Sequence, residues 1–308
     1  MGVKALGYVV IETTDADKWQ EFLCDVAGVM RGADAADGAA QYRIDERHFR
    51  FRIEQGAREG FRAAGYAMAD RAALDALAAA ATADGRAVDW FDAATAAARC
   101  ASAGFATSDP AGNGLEFYVG SADEFAAPTP FSSPQGISHF ITGDMGMGHA
   151  VFSAPNFAET LAFYRDIVGF RETDMPTFHL FGPDGPPMHF AFLHADNGRH
   201  HSLAFAEGPV PPSGAVHVML EYPSLDEVGK AHDRMKALGY AESATIGRHH
   251  NDETVGFYVQ TPGGFDLEIG HDSLVIDPAH WQVTQHQGIS IWGHEWAWQK
   301  AAAAEAAQ

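Results

Sequence analysis

A chain that carries one pattern twice must fold as two like units, and this one repeats itself at a fixed offset. Gly7-Tyr8-Val9, followed by Phe22-Leu23-Cys24-Asp25-Val26-Ala27-Gly28-Val29, returns 141 residues later. There it reads Gly148-His149-Ala150, then Phe163-Tyr164-Arg165-Asp166-Ile167-Val168-Gly169-Phe170. A second echo lies about ten residues further out of step. Tyr66 and Leu74-Asp75 answer to His217 and Leu225-Asp226, and Leu115-Glu116 answers to Leu267-Glu268. The halves therefore read as one duplicated unit, with domains at 1–130 and 138–290, a tail at 291–308, and a proline-bearing linker at Ala126–Pro134.

Each half divides again into two modules of strand, helix and three strands, an α+β plan of paired βαβββ modules. In the third module Gly148–Ser153 is a short apolar strand, and Asn156 is placed to cap a helix. That helix shows Phe157, Leu161, Tyr164 and Val168 on one face and closes at Gly169. In the fourth, Val216–Leu220 is a strand and Ser224-x-x-Glu227 is a capping box. The helix it opens carries Leu225, Val228 and Met235 and stops at Gly239. Pro183–Pro187 is a turn. Four such modules imply curved, largely antiparallel sheets, each partly enclosing a cavity in which polar side chains can converge.

Lys and Arg number 20 against 41 Asp and Glu, a formal charge of −21 that repels phosphate backbones and anionic lipid. Nucleic acid and membrane surfaces are therefore poor partners. No apolar run approaches a bilayer span, and the N-terminal segment lacks the basic lead of an export signal. Cys24 and Cys100 read as reduced thiols. Together these features describe a soluble cytoplasmic protein.

Of 16 histidines, 15 lie after residue 138, so histidine is not a habit of the duplicated unit. His149, His217 and Glu268 in the second half answer to Tyr8, Tyr66 and Glu116 in the first. Two imidazoles and a carboxylate from three separate strands are the set that holds a divalent iron on one face, leaving cis positions open. The tyrosine-bearing half lacks both imidazoles and should bind no metal. Ordinary packed strand histidines are the competing interpretation.

The run Gly247-Arg248-His249, then seven residues, then Phe257-Tyr258 through Pro262-Gly263-Gly264-Phe265-Asp266-Leu267-Glu268 resembles the signature of extradiol ring-cleavage dioxygenases. Gly146-Met147-Gly148-His149, Arg199-His200-His201-Ser202-Leu203-Ala204-Phe205 and Ile291-Trp292-Gly293-His294 resemble that family's other landmarks. The resemblance covers essentially the whole chain and is closest to two-domain type I enzymes of the vicinal oxygen chelate superfamily, the 2,3-dihydroxybiphenyl 1,2-dioxygenase type. It implies Fe(II), with Mn(II) the alternative, held by His149, His217 and Glu268. It also implies His201 as acid/base, and His249 and Tyr258 as hydrogen-bonding partners of a bound catecholate, with Asn251 and Asp252 beside them. The implied reaction is cleavage of a substituted or bicyclic catechol beside the diol with incorporation of O2, by a homo-oligomeric enzyme of aromatic catabolism.

Two alternatives stay open: a glyoxalase-type isomerisation on the same fold, and an inactive catechol-binding relative. Adjacent strand residues face opposite ways, so at most one of His200/His201 and one of His249/His250 should face the cavity. His179, His189, His194 and His294 read as surface or packing residues. Val151, Phe192 and Phe205 are expected to line the pocket, and loop 171–188 to shape its far end.

Overall fold

The computed structural model describes residues 2–180 and 185–306. Turn residues 183 and 184 therefore lie outside the described residues. The first half runs β1 (Val3–Thr13), α1 (Ala16–Glu21), β2 (Met30–Arg31), β3 (Ala40–Arg43) and β4 (Phe51–Gln55). It continues with β5 (Gly60–Met68), α2 (Arg71–Ala83), β6 (Asp89–Trp90), α3 (Ala93–Ala98), β7 (Ala101–Ser108) and β8 (Gly114–Gly120). The second half begins β9 (His149–Ala154), α4 (Phe157–Ala162), β10 (Arg171–Asp174), β11 (Thr177–Phe178), β12 (Met188–His194) and β13 (Leu203–Glu207). Its second module is β14 (His217–Glu221), α5 (Leu225–Leu238), β15 (Glu242–His249), β16 (Val255–Gln260) and β17 (Asp266–His271). The tail adds β18 (Ser290–Gly293) and α6 (Ala297–Ala306).

Each half forms one sheet in which two modules stand side by side. The orders are β2-β3-β4-β1-β5-β8-β7-β6 and β10-β12-β13-β9-β14-β17-β16-β15-β18, with β11 pairing β12. In both sheets the opening strands of the two modules pair antiparallel at the centre, β1 with β5 and β9 with β14. Each opening strand pairs parallel with the last strand of its own module. Central strands are buried on both faces, which explains why β1 and β9 read as near-continuous apolar runs.

The repeated Phe motif builds the same irregular helix twice. After Glu21 and after Ala162 the helix widens, so that Ala27 N–H donates to Phe22 O and Gly169 N–H to Tyr164 O, five residues back. Gly28 and Gly169 end the two segments at φ +69° and +90°, in the left-handed region open to glycine. Asn156 sits at the start of α4 as expected but makes no capping bond; its amide donates to Pro110 O. In α5, Ser224 Oγ accepts from Glu227 N–H, and Val228 and Met235 are buried while Leu225 is exposed.

One apolar core runs through both halves. Tyr66 stacks on Phe117 and meets Phe170 edge-on. Tyr164 donates to Asp109, and Tyr222 to Ala27 O across the junction. The linker folds back over the first half: Arg43 donates to Thr129 O, and Ser133 Oγ to Gly28 O. Among the described residues no helix is long and apolar enough to cross a membrane. Cys24 and Cys100 are free.

Candidate active site

Strand register brings the predicted ligands together. Met219 of β14 lies opposite His149 of β9 on one side and Glu268 of β17 on the other. Residues in register share a face, and His217, two positions before Met219, shares it too. Gly148 makes room for this crossing. Its φ is +142°, and a Cβ there would lie 1.9 Å from Met219 O.

His149 Nε2 lies 3.2 Å from His217 Nε2 and 3.1 Å from Glu268 Oε2, and His217 Nε2 lies 3.4 Å from the same oxygen. One donor atom from each residue falls within 4.8 Å of the others. Two donors each about 2.1 Å from a common ion, at right angles, stand about 3.0 Å apart. The spacings fit a facial triad, and buried Glu268 Oε1 lacks a hydrogen-bond partner. Two nitrogens, one carboxylate and open positions suit Fe(II) or Mn(II). Burial would raise the Glu268 pKa, but the imidazoles of His149 and His217 at Oε2, and of His249 3.4 Å from Oε1, hold the carboxyl well below its usual range. Burial lowers the pKa of His149 despite Glu268, favouring the neutral imidazole a metal needs.

The accessory residues gather around this triad. Tyr258 of β16 lies opposite Glu268 in the ladder, and its hydroxyl is 2.7 Å from His249 Nε2. Burial, then the Glu268 charge, push the Tyr258 pKa well up, so it stays a neutral hydroxyl. Burial works to lower the pKa of His249, but Glu268 outweighs it and the net shift is upward. The His201 ring stacks on His149 with centroids 4.0 Å apart, and Phe192 meets it edge-on. Burial, then His149, drive the His201 pKa well down. Asp252 Oδ2 is 4.0 Å from His201 Nδ1, its Oδ1 accepts from Thr254 N–H, and Asn251 lines the cavity beside it.

Val151 and Phe192 line the cavity as expected. Phe205 does not: it is fully buried against Phe157 and Tyr164, on the opposite face of β13 from Ala204 and Ala206. From loop 171–188, Phe178 and Leu180 reach the cavity wall. His200 and His250 stay off it, the first buried and the second exposed. His179 and His189 are exposed, while His194 and His294 are buried in packing. Sequence reasoning missed Phe190 and the tail residues Trp296 and Trp298, which also line the cavity. The pairing of β18 with β15 brings that tail over the site, and its tryptophans were the available signal.

The first-half counterpart requires one correction. There Gly65 lies opposite Tyr8 and Glu116, as Met219 lies opposite His149 and Glu268. The residue two before Gly65 is Ala63, so Ala63 and not Tyr66 holds the place of His217. Tyr66 answers to Leu220 and faces the core, three residues away and on the other side of the strand. Tyr8 lies directly over Gly65, where a Cβ would stand 2.3 Å from its ring. Its hydroxyl donates to Glu116 Oε2 at 2.6 Å, and Arg99 binds both Glu116 oxygens at 2.8 and 2.9 Å.

Fold and site together define a metal-dependent enzyme on paired βαβββ modules. The family model described as "Dihydroxybiphenyl dioxygenase BphC D1" matches residues 6–56. The one described as "Glyoxalase/Bleomycin resistance protein/Dioxygenase superfamily" matches residues 146–269. Biphenyl-2,3-diol 1,2-dioxygenase of Paraburkholderia xenovorans is 39% identical over 98% of this chain and 99% of its own. An iron-dependent extradiol dioxygenase of Rhodococcus jostii is 35% identical over 96% and 98%. The crystal structure of BphC, a halotolerant catechol dioxygenase, superposes with a TM-score of 0.86 at 30% identity, covering 96% of this chain and 95% of that one. The chain belongs to the extradiol ring-cleavage dioxygenases of the vicinal oxygen chelate fold, and it is an enzyme of that type.

Proposed function

We propose that the enzyme opens an uncharged, substituted or bicyclic catechol of the 2,3-dihydroxybiphenyl kind beside its diol, in the catabolism of aromatic compounds. The observation that carries this is the convergence of His149, His217 and Glu268 at the base of an apolar cavity. Val151, Phe178, Phe190, Phe192, Val216 and Trp296 form much of its wall, and no described lining residue is Lys or Arg. A carboxylated catechol would find no counter-charge there and would meet Asp266. An uncharged ring gains by burial instead.

His149, His217 and Glu268 are assigned as ligands of Fe(II), which outranks Mn(II) on the name of the Rhodococcus relative. Bound iron supplies a Lewis acid and a path for electrons from ring to dioxygen. The protein does the rest. His249 and Tyr258, already 2.7 Å apart, hold one catecholate oxygen by hydrogen bonds. His201, neutral and buried, accepts a catechol proton and returns it during ring opening. Asp252 and Asn251 border the substrate and limit its tilt. The cavity wall excludes water, so each of these contacts acts in a low dielectric. We assign 1–130 as the non-catalytic domain, 138–290 as the catalytic one and 291–308 as the tail, in a cytoplasmic homo-oligomer.

The test is anaerobic reconstitution with Fe(II), then oxygen uptake against 2,3-dihydroxybiphenyl, 1,2-dihydroxynaphthalene, 3-methylcatechol, catechol and a carboxylated catechol. Stoichiometric uptake with a yellow ring-opened product, fastest for the bicyclic diols, is expected. An iron-loaded enzyme that binds catechol yet consumes no oxygen would return the choice to an isomerase or a binding protein.

A further inference from the structure

Every titratable or amide side chain on the described cavity wall has been given above to the metal or the diol, except Asp266. Asp266 opens β17 two residues before Glu268, so it faces the same way as that residue and stands about 7 Å from it along the strand. Its N–H donates to Val216 O at 3.0 Å, which fixes this end of β17. Val216 is 36% exposed and Glu268 1%, so Asp266 lies between the closed base of the cavity and its mouth. Ser243 of β15 donates to Asp266 Oδ1 at 2.6 Å. Among the described residues Oδ2 has no hydrogen-bond or ion-pair partner, and no bond joins the carboxylate to His217, its neighbour in the ladder. Oδ2 is not sealed from solvent either. Val151, Val216, Phe190 and Phe192 make the wall around the substrate's far end apolar, so a carboxylate oxygen is left there without a protein donor.

We propose that Asp266 is a specificity-determining residue whose Oδ2 accepts a hydrogen bond from a hydroxyl on the substituent of the catechol; this rests on the catechol reaction proposed above. The preferred substrate is then a bicyclic catechol whose second ring is itself hydroxylated. A carboxylate is acceptor-only, so it suits an O–H donor and finds nothing in a bare phenyl ring. A bare ring that enters the cavity strips water from Oδ2 and returns no bond, whereas a hydroxyl returns one. Selection therefore comes chiefly from rejecting the ring that lacks the hydroxyl, the direction in which a polar site discriminates best. Ser243 is the positioning residue, since its bond to Oδ1 holds the carboxylate with Oδ2 free for the substrate.

The test compares kcat/KM of the iron-loaded enzyme for 2,3-dihydroxybiphenyl with that for derivatives hydroxylated at the ortho, meta or para position of the second ring. The methyl ether of the best derivative completes the series. The best hydroxylated ring is expected to lead by about 10- to 100-fold, and its ether, which cannot donate, to lose that lead. In Asp266→Leu the lead should fall to about twofold or less, because the bare ring no longer strands a charge. Ser243→Ala, which lets the carboxylate turn, should leave a lead between those of the parent and Asp266→Leu. Damage to the neighbouring metal site would slow all these substrates together and leave their ratios unchanged, so the ratios are read beside iron per chain. The substrate series needs no variant and decides the matter if Asp266→Leu does not fold. Hydroxylated rings no better than 2,3-dihydroxybiphenyl, an ether as good as its phenol, or an undiminished lead in Asp266→Leu each overturn the proposal and leave the catechol reaction standing. No turnover of any of these diols removes the catechol reaction itself, and the proposal with it.

Discussion

The two halves place the same three-strand row at the base of a cavity and load it differently. In the second half Glu268 faces three imidazoles, His149 and His217 at Oε2 and His249 3.4 Å from Oε1. In the first, Glu116 receives a bidentate guanidinium from Arg99 and a hydroxyl from Tyr8, and the His217 position is Ala63. A buried carboxylate must be compensated. One half does this with a fixed protein cation, the other with groups that suit an exchangeable metal. The duplicated backbone therefore sets where a charge is needed, and two or three side chains decide what supplies it.

Removing one imidazole should break the contrast outright. His217→Ala is expected to weaken metal retention by at least about a hundredfold and abolish oxygen uptake, read as iron per chain after gel filtration. Retained iron would mean that the triad is not the centre. Arg99→Ala should leave iron untouched but cost about 3 to 5 kcal/mol in denaturant unfolding, because Glu116 stays buried without its partner. Tyr8→Phe removes one hydrogen bond to the same carboxylate and should cost about 1 to 3 kcal/mol, again with unchanged iron. Ala63→His should recruit no second metal while Arg99 occupies Glu116; a second equivalent of tightly bound iron would show that the guanidinium is dispensable. The smallest effect belongs to Tyr66→Phe. Its hydroxyl makes only a 3.4 Å contact with Ser202 O, so a loss below about 1 kcal/mol and normal iron content are expected.

Module number, helix ends and the convergence of His149, His217 and Glu268 were legible because each leaves a local or repeated mark. The Phe-rich motif recurs with its terminal glycine, and Ser224 caps α5. The Tyr66–His217 match was not, because sequence echoes do not report ladder register. A slip of three residues along β5 exchanges cavity for core, and only the partners of Gly65 reveal it. Phe205 failed for a related reason, since an apolar residue on a doubly buried strand gives no sign of its face. His200 and His201 precede β13 rather than lie in it, so alternation was the wrong rule for them, although only His201 reaches the cavity.

Gly65 and Tyr8 are a matched pair. With no Cβ beneath it, the Tyr8 ring can lie flat across the strand and fill the space above Glu116. Any larger residue at 65 collides with that ring, and any smaller residue at 8 leaves a hole above glycine. Neither change is neutral on its own. The two positions are therefore coupled: a change at either one alone costs packing, and only a paired change would clear the space without strain or void.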